Sequence, residues 1–174
     1  MDDREMERLR RRIRFWMGAF IVGLVFSGVT AFPLVWEMKL LGALLGIDPH
    51  ATPSLYTGLK HWIALVQQGV IETDARYPFI AYGTDWLAFG HIVIALFLVG
   101  PLLDPVRNIW CLRAGMAACV LVVPLALICG PLRGIPVGWQ LIDCSFGVVG
   151  ILPLLLVYRD VKRLEQYGMR SIPG

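Results

Sequence analysis

The 174 residues are 57% hydrophobic and only 17% charged, against about a quarter charged in an ordinary soluble domain. That balance excludes a soluble globular protein and places the chain in the membrane class. The formal net charge of +3 is small, and the basic N-terminus is mixed with acids and runs directly into an apolar stretch, so nucleic acid is not the expected partner.

Taken in chain order, residues 2–14 set Asp2, Asp3, Glu5 and Glu7 among and ahead of Arg4, Arg8, Arg10, Arg11, Arg12 and Arg14. Acids early and arginines late suit the helix dipole. The segment therefore reads as a short cytoplasmic helix whose arginines meet anionic lipid headgroups. A first span follows at 15–32, with Trp16 and Trp36 as interfacial anchors and Pro33 at its exit. A cleaved signal peptide ending at Ala31 is the alternative for this region, but the apolar stretch exceeds the usual ~7–15 residues.

Residues 33–85 read as an extracytoplasmic segment with an amphipathic helix of its own. Thr52 is placed to cap that helix, and Pro53 to occupy its first position. Leu55, Leu59, Trp62, Ile63, Val66 and Val70 then fall on one helical stripe, leaving Lys60, His61, Gln67, Gln68 and Glu72 on the polar face. Arg76-Tyr77-Pro78 ends the helix, and Tyr77, Phe79, Tyr82 and Trp86 lead into a second span at 86–103. Asp85 suits the positive end of that span.

The second and third spans end alike, in Gly100-Pro101-Leu102 and Gly130-Pro131-Leu132, a helix-stopping pattern. Asp104-Pro105 is placed to cap and start the third span, 109–129, and a fourth occupies 135–158 ahead of a tail at 159–174. These runs are continuously apolar and rich in small residues, not alternating as barrel strands are. The predicted fold is an all-α integral membrane protein with four transmembrane helices and an extracytoplasmic amphipathic helix between the first two, all in one membrane domain, 1–174.

Orientation follows from the cations. Arg4, Arg8, Arg10, Arg11, Arg12, Arg14, Arg107, Arg113, Arg159, Lys162, Arg163 and Arg170 fall on one side of the predicted membrane; of the 16 Lys and Arg, only Lys39, Lys60, Arg76 and Arg133 fall on the other. The positive-inside rule then sets both termini in the cytoplasm, most simply of a bacterial cell with the chain in its cytoplasmic membrane. Arg113 is expected to snorkel to the headgroups or to pair with Asp104 or Asp160. Cys111, Cys119, Cys129 and Cys144 show neither Cys-x-x-Cys nor zinc-like spacing and read as small core residues.

Two ionisable residues stand inside apolar runs. Asp143 lies seven residues into the fourth span and His91 six residues beyond Asp85, ~10 Å and ~9 Å along their helices at 1.5 Å per residue. A charge at that depth costs at least ~2.5 kcal/mol, so it is normally paired, protonated or functional. Trp139, Gln140, Asp143, Gly147 and Gly150 share one face of the fourth span, and Arg133 is the nearest cation to Asp143 along the chain. The expected site is an outer-half polar pocket of Tyr82, Asp85, Trp86, His91, Arg133, Trp139, Gln140 and Asp143.

The same residues could simply lock the helices together by mutual hydrogen bonding. As a site they suit a lipid-like or quinone-like ligand in a small accessory subunit. A haem-binding electron carrier, ligated by His91 with His61, is a second reading. A membrane enzyme or proton-coupled carrier using His91 and Asp143 is a third, although no nucleophile elbow, metal signature or phosphate loop accompanies them. Four short spans leave little room for a closed pathway in one protomer, which favours a homo-oligomer or a larger membrane complex.

Overall fold

The computed structural model describes residues 3–170; Met1, Asp2 and positions 171–174 of the predicted tails lie outside the described residues. The described residues are helical, with no strand among them. Helix α1 (Asp3–Ala31) is followed by α2 (Leu34–Leu44), α3 (Gly58–Arg76), α4 (Tyr82–Phe97), α5 (Val99–Leu103), α6 (Ile109–Leu132) and α7 (Val137–Arg170), with single 3-10 turns at Pro53–Leu55 and Pro78–Ile80. Four helical stretches, Arg4–Ala31, Pro78–Leu103, Ile109–Leu132 and Val137–Tyr167, are long and apolar enough to cross a membrane.

The chain forms two compact units, one made of residues up to Gly23 and from Ile94 onward, the other of Leu24–Val93. The basic segment expected as a separate short helix is the start of α1, continuous with the first span. Nothing between Arg14 and Phe15 breaks the helical hydrogen bonding, so one helix serves both. The end of the fourth span likewise continues as helix through Arg170.

In the first unit the buried side chains include Leu9, Ile13 and Met17 of α1, Leu112 of α6, and Leu154, Val157, Asp160 and Val161 of α7. On α1 they repeat every four residues, on α7 every three or four, which is the period of a single helix face. Nearer the middle of the spans, α6 and α7 meet through glycine. A Cβ at Gly147 would run into the Cys119 carbonyl oxygen, and one at Gly150 would stand 3.2 Å from Cys119 Sγ. Lipid tails are as apolar as leucine, so such close approach, rather than removal of apolar surface from water, holds helices together at this depth.

Helix ends depart from the sequence expectations in three places, each with a local cause. Thr52 and Pro53 start only a 3-10 turn; Tyr56 and Thr57 are extended, and the long helix begins at Gly58 with a backbone φ of +58°. Asp104 does not cap the third span directly. Its carboxylate accepts the Arg107 backbone N–H at 3.2 Å, while Asn108, whose side chain donates to the Asp104 and Gly100 carbonyls at 2.9 and 3.2 Å, stands at the start of α6. Gly-Pro does not stop either helix. Pro101 lies within α5 and Pro131 within α6; having no N–H, Pro101 leaves an interrupted turn at Leu98 between α4 and α5.

The true stop of α6 is Gly134 at φ +68°. Ile135 N–H donates to Gly130 O at 2.9 Å and Gly134 N–H to Pro131 O at 3.2 Å, the paired bonds of a Schellman end. Helix α2 ends the same way at Gly46, φ +67°, with Ile47 N–H to Gly42 O at 2.8 Å and Gly46 N–H to Ala43 O at 3.1 Å.

Candidate functional site

The residues expected to form the outer-half pocket divide between the two units: Tyr82, Asp85, Trp86 and His91 on α4 in one, and Arg133, Trp139, Gln140 and Asp143 at the α6–α7 corner in the other. On α4, the rings of Tyr82 and Trp86 meet edge to face at 6.0 Å, and Trp86 meets Phe89 at 6.1 Å. This aromatic ladder is exposed. Asp85 is half-buried in the first turn of α4.

His91 is held by its surroundings within its unit. Its Nδ1 lies 2.9 Å from the Leu87 carbonyl one turn earlier, and a Cβ at Gly28 would approach Ala88 O, His91 Cβ and Ile92. Gly28 therefore admits a close approach of α4 to α1, with His91 at the contact. His61 is tied similarly, Nδ1 to the Pro53 carbonyl at 2.8 Å, which joins the 3-10 turn to α3.

At the α6–α7 corner, Gln140 is buried and its amide donates to the Ile135 carbonyl at 2.7 Å. The same side chain fills the space above Gly130, where a Cβ would meet Gln140 Cδ at 2.6 Å. Gln140 therefore seals the helix end. Trp139 is half-buried, Arg133 is exposed, and Asp143 is half-buried with no hydrogen bond or ion pair to a described residue of its own unit.

Among the described residues, the fully buried acid is Asp160. Arg12 Nε donates to its Oδ2 and an Arg12 terminal nitrogen to its Oδ1, a two-pronged ion pair between α1 and α7. Arg113, expected to snorkel to the headgroups or to pair with Asp104 or Asp160, is exposed and pairs with neither acid; it stands 5.8 Å above the Tyr158 ring with a weak 3.5 Å contact to its hydroxyl. Asp104 faces its own turn, 4.0 Å from Arg107 Nε.

The Leu24–Val93 unit holds a cleft of about 770 Å³, lined by the turn between α1 and α2, by α2 and α3, and by the start of α4 with the turn before it. Apolar side chains dominate it: Phe32, Val35, Trp36, Val66, Val70 and Ile80. Lys39, Thr73, Asp74 and Thr84 supply its polar groups. Two helix rows account for much of the wall. Val35 and Lys39 are one turn apart on α2, while Val66, Val70 and Asp74 follow one another by single turns on α3.

Most of this lining is visible in the sequence but carries no mark of a site there. Trp36 reads as an anchor, Lys39 as one of the few outer cations, and Val66 and Val70 as members of a helical stripe. Only the meeting of α2 with α3 turns them into one wall. That meeting is set by Gly42, over which the Gln67 side chain lies; a Cβ there would stand 2.5 Å from Gln67 Oε1. Gln67, expected on the polar face, is instead buried, and both its amide atoms lack a hydrogen-bond partner. Gly42 explains why: it leaves room for a side chain that periodicity alone assigns to solvent.

No family model matches the chain, and neither a curated protein nor a solved structure matches it significantly.

Proposed function

We propose that the chain is a small polytopic membrane protein of the ligand-binding or accessory type, with both termini in the cytoplasm and an outer-side cleft that takes a lipid-like or quinone-like molecule. The observation that carries this reading is the cleft between α2, α3 and the start of α4. Its volume of about 770 Å³ falls in the ~300–1,000 Å³ range of small-molecule sites, and an apolar lining with a few polar groups is the usual composition of such sites. Trp36, Phe32 and Ile80 offer contact to a chain or ring; Lys39, Asp74 and the two threonines offer contact to a polar head.

The sidedness rests on the cations. The segments that carry Lys39, Lys60, Arg76 and Arg133 are poor in positive charge beside the arginine-rich start of α1 and end of α7, which supports α2 and α3 on the outer side. His91 enters this reading through packing at Gly28, not through contact with the ligand.

Native mass spectrometry of the gently extracted protein tests the proposal. The wild-type protein should retain an apolar or amphiphilic molecule, and Val70→Trp, which fills the cleft, should lose it while keeping its thermal transition. Retention of the same molecule by a folded Val70→Trp protein, or no retained molecule in the wild type, contradicts the proposal.

A further inference from the structure

We infer that the cleft selects an amphiphile with a zwitterionic, hydrogen-bond-donating head, namely an aminophospholipid of the phosphatidylethanolamine class; this rests on the ligand-binding reading above. The argument is charge complementarity. The cleft is lined by one cation, Lys39, and one anion, Asp74. Neither has an ion-pair or side-chain hydrogen-bond partner among the described residues. They do not neutralise each other, so each is open to a complementary group of a ligand.

Candidate heads differ in how many of these charges they can satisfy. A quinone ring is neutral and leaves both charges without an opposite charge. An anionic glycerol phosphate head suits Lys39 and meets Asp74 as a like charge. A choline head carries both charges, but its quaternary nitrogen has no N–H to donate. An ethanolamine phosphate offers oxygen to the Lys39 ammonium and N–H to the Asp74 carboxylate, two charge-assisted hydrogen bonds of the stronger kind. Thr73 lies one residue before Asp74 in the same lining and adds a hydroxyl for the phosphate. Phe32, Trp36 and Val70 give the attached chain an apolar path.

Full-length protein in phosphatidylcholine bilayers, doped at low mole fraction with bromine-labelled lipids that quench tryptophan, gives a site-specific reading once the Trp36→Phe signal is subtracted. Brominated phosphatidylethanolamine should quench Trp36 at roughly tenfold lower mole fraction than brominated phosphatidylglycerol or phosphatidylcholine, the size expected from one added charge-assisted bond. Asp74→Asn should abolish that preference, and Lys39→Gln should weaken quenching by all three lipids alike, neither lowering the thermal transition. Equal quenching by the three lipids, a preference for the glycerol head, or an undiminished preference in Asp74→Asn overturns the inference. If a brominated quinone saturates Trp36 while the ethanolamine lipid shows no advantage, the head assignment falls and the ligand-binding reading stands. If no amphiphile saturates Trp36 quenching, both fall.

Discussion

Arg12 grips the fully buried carboxylate of Asp160 through two N–H···O bonds, joining the first helix of the chain to the last. Arg12 itself is about half exposed, with 49% of its side chain accessible, so the pair sits where water reaches the cation and not the anion. Removing the cation would strand the buried charge, and that asymmetry sets the expected cost. Arg12→Ala should lower unfolding stability by about 3 kcal/mol, the low end for breaking a buried pair. Thermal unfolding in detergent checks this; the double variant Arg12→Ala/Asp160→Leu should recover much of the loss.

The two buried glutamines predict opposite outcomes for the same substitution. Gln140 donates to the Ile135 carbonyl at 2.7 Å, so Gln140→Met should cost about 1 kcal/mol as that carbonyl loses its donor. Gln67 is buried with its amide unpartnered, and Gln67→Met should be neutral or stabilising by about 1 kcal/mol, since an apolar group of similar shape removes a desolvation penalty. Parallel melting curves of the two variants decide it. Destabilisation by Gln67→Met would mean that its amide has a partner in the membrane.

Helix approach at glycine predicts a sharp positional contrast on α7. Gly147→Ala places a methyl against the Cys119 carbonyl and should cost about 1–3 kcal/mol through forced separation of α6 and α7. Gly138, on the same helix, has nothing within 4 Å of an added Cβ, so Gly138→Ala should be neutral or slightly stabilising because alanine is the better helix former. Chemical denaturation of the two variants separates these outcomes.

A third contrast tests the helix ends. Gly134 holds φ +68° as the residue after the α6 cap, so Gly134→Ala should cost about 1–2 kcal/mol through its left-handed backbone. Pro131→Ala, a residue already inside the helix, should leave the end of α6 in place. Hydrogen exchange at the Ile135 amide reports both, because that amide donates to Gly130 O only while the cap is closed.

The four apolar runs and the all-helical class are legible in the sequence because length and continuous hydrophobicity determine them. The helix ends are ambiguous in the sequence where two stop signals compete. Gly-Pro at 100–101 and 130–131 looks like a terminus, yet the decisive signal in the second case is Gly134 with Ile135 behind it, and the same Gly-Ile pair at 46–47 ends α2. The ionisable residues mislead in an instructive way. Asp143 and His91 stand out by their apolar sequence neighbours, whereas among the described residues the fully buried acid is Asp160, in a charge-rich stretch, Arg159 to Arg163, that looks solvated. Burial of Asp160 depends on α1 returning to α7, and no local pattern contains that. The cleft escaped for the same reason: Val35, Lys39, Val70 and Asp74 become one wall only once Gly42 lets α2 settle on Gln67 of α3.

Photo-crosslinking tests the central claim, an amphiphile seated in the Leu24–Val93 cleft, most directly. A phospholipid carrying a diazirine on its acyl chain, activated in bilayers of the full-length protein, should label peptides containing Trp36 and Val70 in excess of their share of exposed surface. Val70→Trp should remove that excess and leave labelling of the exposed α6 residues Val120, Leu121 and Leu125 unchanged. Labelling spread evenly over the exposed apolar residues, and indifferent to Val70→Trp, would contradict it.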